Sequence, residues 1–135
     1  MKEYLKQRHT DWFSNLHQVI GKYEDPKKKI FGLFEYLEQW IKKSNYRGCA
    51  FININTELPD DNCEISSIVQ THKQDLRDLI EELTKDIEQK DRSKEHTDLI
   101  SDTIYIMFEG AIVESQNFRS IWPVKRSIKT VEHLI

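Results

Sequence analysis

Cysteine, proline and glycine are all scarce in this chain of 135 residues, and each scarcity excludes something. Two cysteines, Cys49 and Cys63, are too few for the disulfide framework of a small secreted domain and lack the paired spacing of a zinc site. Four glycines and three prolines are too few for the many tight turns of a β-sandwich or barrel, which leaves helices as the expected elements. Positive charge is not in excess: 20 Lys and Arg against 23 Asp and Glu give a formal net charge of −3, with no general pull toward phosphate backbones. No apolar run approaches the ~20 residues needed to span a bilayer, and the opening Met1-Lys2-Glu3-Tyr4-Leu5-Lys6 has no signal-peptide core. These absences predict a cytoplasmic, reduced protein that inserts in no membrane and binds no DNA directly.

What is present is bulk. Although 32% of residues are charged and mean hydropathy is −0.67, the 10% of Phe, Trp and Tyr is enough to build a core. The length suits one helical domain spanning residues 1–135.

Periodicity lays out the helices. Leu5, Trp12, Phe13, Leu16, Val19, Ile20 and Tyr23 recur at three- and four-residue steps and predict an amphipathic helix before the first proline. Asp25-Pro26 reads as N-cap and first helical position of a second helix, with Ile30, Phe31, Phe34, Leu37, Trp40 and Ile41 on one face and an end near Ser44-Asn45. From Gly48 to Asn55 local propensity leans toward a strand; a lone strand would leave its backbone unpaired, so a short helix or turn is expected. After Pro59, Asp61 and Glu64 stand in the manner of a capping box ahead of Ile65, Ile68, Val69, His72, Leu76, Leu79, Ile80, Leu83 and Ile87. Residues 89–96 are almost wholly polar and read as a solvated loop with a frayed helix end.

The segment from Thr97 to Gln116 carries two apolar faces. Leu99, Thr103, Ile106, Gly110 and Val113 form one, while Ile100, Ile104, Met107, Phe108, Ala111, Ile112 and Ser115 form the other. Asp98, Asp102, Glu109 and Gln116 are left as a narrow polar strip. A helix apolar over most of its circumference needs cover on both sides, and a chain of this size offers few elements to provide it. A partner subunit is the expected second cover. A last helix, starting near Pro123, has a single stripe of Val124, Ile128, Val131 and Ile135.

Three features together resemble the C-terminal regulatory domain of the TetR family of bacterial transcription regulators. They are Tyr46-Arg47-Gly48-Cys49-Ala50-Phe51-Ile52-Asn53 after an aromatic-rich helix, the helix containing Ser67 to Leu83 with His72-Lys73 inside it, and Phe108-Glu109-Gly110-Ala111 in the penultimate helix. The resemblance covers nearly the whole chain. It implies an all-α helical bundle that binds a small effector and homodimerises through a four-helix interface of its last two helices. The expected interface residues are Ile100, Ile104, Met107, Phe108, Ala111, Ile112, Ser115, Val124, Ile128, Val131 and Ile135. The resemblance begins after the family's helix-turn-helix, whose pattern and basic surface have no counterpart here, so no DNA binding is carried over. The alternative is an interaction module that forms mixed dimers with a full-length relative.

The family likeness also implies a pocket. The candidate ligand-binding residues are Trp12, Phe13, Leu16, Phe34, Leu37, Trp40, Phe51, His72, Met107 and Phe108, whose many rings favour an apolar or aromatic ligand. His72 reads either as a core histidine bonded to a polar neighbour or as a hydrogen-bonding contact to that ligand. The five histidines show no metal-ligand spacing, and no nucleophile elbow or phosphate loop is present. Neither metal, cofactor nor catalysis is expected. Cys49 and Cys63 are read as inert, with a redox pair as the alternative.

Overall fold

The computed structural model describes residues 2–57, 63–87 and 93–135, apart from the side chains of Asn55 and Thr56. Among these residues there are six α-helices and no strand: α1 (Lys2–Ile20), α2 (Pro26–Lys43), α3 (Ala50–Glu57), α4 (Cys63–Asp86), α5 (Lys94–Phe118) and α6 (Trp122–Leu134). None of the described helices is long and apolar enough to cross a membrane.

The ends of the helices follow from local chemistry. Asp25 sits in extended backbone and its carboxylate accepts from the Lys27 N–H at 3.1 Å, with Pro26 opening α2 where its missing donor goes unnoticed. After α2, Asn45 and Tyr46 take φ values of 55° and 60° and Gly48 takes 81°, turning the chain sharply into α3. The segment with strand propensity is therefore helical from Ala50. The penultimate helix starts at Lys94 rather than Thr97, because the Ser93 hydroxyl accepts from the His96 N–H at 3.1 Å and caps it. Pro59, Asp61 and residues 89–92, to which sequence assigned a helix start and a loop, lie outside the described residues.

The central helix is α2, which packs against α1, α4, α5 and α6. Phe34 from α2 and Phe108 from α5 are both fully buried, and their rings meet edge to face with centroids 5.7 Å apart. Leu16, Leu37, Leu76, Ile80, Val124 and Val131 close the core around them. Between α4 and α5, the Arg77 guanidinium donates to Asp102 at 3.0 Å on the surface.

One sequence expectation is reversed by this packing. Ile100, Ile104, Phe108, Ala111, Ile112 and Ser115, expected at a dimer interface, are buried in the chain's own core together with Val124 and Val131. α2, α4 and α6 already cover that face of α5, so those eight side chains are not a surface. Met107, Ile128 and Ile135 are half-buried and pack against the core edge. The other apolar face of α5 is the open one: Leu99 is 60% exposed and Ile106 66%. Gly110 lies exposed in the same row, with nothing within 4 Å of where a Cβ would stand, and Val113 follows it half-exposed. Phe118 and Trp122, packed edge to face on each other, are also exposed, at the α5–α6 corner.

Candidate functional site

A cavity of about 500 Å³ opens among α1, α2, α3, α4 and α5. Its position follows from the fold: the short α3 packs on α4, and the bend at residues 45–48 holds it off the α1–α2 pair. Exposed polar residues of α1 and α2, including Arg8, Asp11, Asn15, Gln39 and Lys43, form the rim. Inside, the wall is aromatic. Trp12 is the hub, edge to face with Tyr36 at 5.4 Å, with Trp40 at 6.4 Å and with His72 at 5.4 Å between centroids. The Phe51 ring lies flat on the His72 imidazole, 3.7 Å away and 2° from parallel.

Of the sequence-predicted ligand residues, Trp12, Trp40, Phe51 and His72 line this cavity. The others do not. Leu16, Phe34, Leu37 and Phe108 are fully buried in the core behind it, Phe13 packs 5.4 Å from the His72 ring, and Met107 packs against the core edge. Ile112, expected at a dimer interface, is part of the cavity wall instead.

His72 is 3% exposed and is held from two sides. Its Nδ1 lies 2.8 Å from Nδ1 of His9 on α1, while His9 Nε2 lies 3.3 Å from Asp75 Oδ2. A hydrogen bond between two Nδ1 atoms needs one hydrogen and one lone pair, so both rings cannot be imidazolium at once. Burial first, then the Lys73 ammonium and His9, push the His72 pKa down from 6.5 to about 3. His72 is thus a neutral ring near pH 7, bonded to His9 and bordering the cavity.

The polar part of the wall was not anticipated. Lys73 Nζ lies 2.8 Å from Glu109 Oε2 and 3.4 Å from Cys49 Sγ, joining α4, α5 and the start of α3. Burial disfavours the Lys73 charge, but the Cys49 and Glu109 side chains beside it outweigh that and hold its pKa above the ordinary 10.5. Glu109, assigned from the helical wheel to a polar strip, is only 18% exposed and Lys73 only 16%. The second carboxylate oxygen, Glu109 Oε1, is buried and has no hydrogen-bond partner among the described residues. Tyr36, also on the wall, donates its hydroxyl to the Trp12 carbonyl at 3.3 Å, and burial pushes its pKa up to about 12.

The only sequence signal for Lys73 and Glu109 was their presence inside two of the segments that resemble the family. Cys49 is buried and free, and Cys63 is free and exposed. Among the described residues no three His, Cys, Asp or Glu side chains gather as a metal site. Comparison with family models, curated proteins and solved structures finds no match to this chain.

Proposed function

We propose that this chain is a ligand-binding and dimerisation domain of the TetR type, which holds a small, largely apolar effector in the α1–α5 cavity and pairs with a second copy through α5 and α6. The observation that carries this reading is the cavity. This opening of about 500 Å³, lined by Trp12, Trp40, Phe51 and His72, lies within the range of small-molecule sites. The half-buried ion pair adds weight. Partly withdrawing two charges from water offsets much of their attraction, so Lys73 and Glu109 bring polarity to the wall for little net stability.

Pairing is supported by the open face of α5. Leu99, Ile106, Gly110 and Val113 form an apolar row on the side away from the core, and Phe118 and Trp122 are exposed at the α5–α6 corner. The proposed interface is this row with the outer edge of α6, in place of the buried residues that the sequence pattern favoured. Effector binding would act by population shift, favouring the arrangement of α1, α3 and α4 that closes on it and so biasing α5, which belongs to both cavity and interface.

The protein acts by binding rather than catalysis. The two wall residues best suited to proton transfer are engaged elsewhere, His72 with His9 and Tyr36 with a backbone carbonyl. The net charge of −3 supports assigning no DNA contact to these residues. Native mass spectrometry of the purified protein tests the reading. A dimer that retains or takes up one small molecule per chain is the expected result, and Ile106→Arg should yield monomers of unchanged helical content. A wild-type monomer at micromolar concentration would refute the interface.

A further inference from the structure

The cavity wall has a particular pattern of unused hydrogen-bonding capacity, and that pattern selects among ligand chemistries. This inference rests on the effector-binding reading above. An ammonium carries three hydrogens; Glu109 Oε2 and Cys49 Sγ take up two of those on Lys73, at 2.8 and 3.4 Å. Beside it, Glu109 Oε1 is buried without a donor among the described residues. The wall therefore offers one spare donor and one spare acceptor, adjacent, on a pair whose charges already cancel.

A charged ligand group fits this poorly. A carboxylate placed against Lys73 would meet the Glu109 carboxylate, and an ammonium placed against Glu109 would meet Lys73. Either would also leave a third, uncompensated charge beside Trp12, Trp40 and Phe51. A hydroxyl suits both partners at once, because one oxygen donates and accepts without net charge. Oε1 is enclosed, so the proposed contact requires the Glu109 carboxylate to turn about its last torsion, which is broad, and bring an oxygen to the cavity.

We propose that the effector is a neutral, flat, hydroxylated aromatic molecule of the phenol class, with its rings among Trp12, Trp40 and Phe51 and its hydroxyl donating to Glu109 while accepting from Lys73. The cavity volume of about 500 Å³ admits a molecule of two or three fused rings.

The test is isothermal titration calorimetry at pH 7 with three probes of nearly equal size: 2-naphthol, 2-methoxynaphthalene and 2-naphthoate. The methyl ether keeps the acceptor and removes the donor, and the carboxylate replaces the hydroxyl with a charge. The naphthol should bind about tenfold tighter than either, the margin of one hydrogen bond to a charged partner. Glu109→Gln should shrink that margin to about threefold or less. The double variant K73M/E109L, which removes the pair together and leaves no buried charge unpaired, should bind the ether as tightly as the naphthol. Equal binding of naphthol and ether by the wild type, or tighter binding of the naphthoate, overturns the hydroxyl assignment and leaves an apolar or anion-binding pocket. Absence of binding by all three overturns it together with the effector reading.

Discussion

Acid should weaken this protein through a single buried ring. The His72 imidazole is neutral in the fold because burial and the adjacent Lys73 and His9 push its pKa from 6.5 to about 3. The unfolded chain, whose imidazole titrates normally, takes up a proton first as the pH falls. Stability is therefore complete above about pH 6.5 and declines as the pH drops toward 3. At 1.36 kcal/mol per pH unit, moving to pH 5 takes away about 2 kcal/mol. Among the described residues no acid in direct contact with His72 offsets this. From α1 it meets His9, Trp12 and Phe13, from α3 Phe51, and Asp75 bonds to His9 rather than to His72 itself. The assay is urea unfolding followed by circular dichroism at pH 7 and pH 5, at fixed protein concentration, for the wild type and for His72→Phe. The variant keeps a flat ring on Phe51 and removes the titrating group together with its hydrogen bond to His9, so the difference in pH dependence reports the coupled His72–His9 pair. The wild type should lose about 2 kcal/mol more than the variant. Equal pH dependence of the two proteins would refute the reasoning.

Two further substitutions probe the scaffold. Phe108→Ala removes a fully buried ring that packs on Phe34 and should cost about 3–5 kcal/mol in denaturant titration; a cost under about 1 kcal/mol would mean that the core does not close around it. Gly48→Ala places a Cβ on a residue with φ of 81° and against the Gln116 side-chain amide, and should cost about 1–2 kcal/mol. Adding Gln116→Ala should recover only the steric part, since the backbone strain remains; full recovery would show that φ carries none of the cost.

The helices were largely legible in the sequence, because their signals are local. Asp25-Pro26 opens α2 as its cap chemistry requires, and the stripe from Ile65 to Leu83 lies on the buried side of α4. The cavity was half legible. Its aromatic residues stand on faces that periodicity marks as inward, but inward does not distinguish core from cavity wall. Phe34 and Trp40, six positions and so about 120° apart round α2, both belong to its broad apolar side, yet one fills the core and the other borders the opening. The difference lies in where α3 sits, which depends on the bend at Asn45, Tyr46 and Gly48. The pairing of Lys73 with Glu109 was not legible, since its members are 36 residues apart and each resembles an ordinary outward polar residue on its own helix.

The reversal on α5 has the same root. A helical wheel separates the two apolar faces correctly, but the choice between them depends on what the other helices bring to each. The face that turned inward carries Phe108 among Ile104, Ala111, Ile112 and Ser115, a mixture of large and small side chains that lets α2, α4 and α6 approach closely. The outward face carries Leu99, Ile106, Gly110 and Val113, which no other described helix buries. Glu109 stands between these faces, and its contact with Lys73 on α4 goes with this rotation of α5 and not with one that turns Ile106 inward, which would carry Glu109 away from Lys73. In the proposed mechanism, a ligand that draws on Glu109 acts on the same rotation.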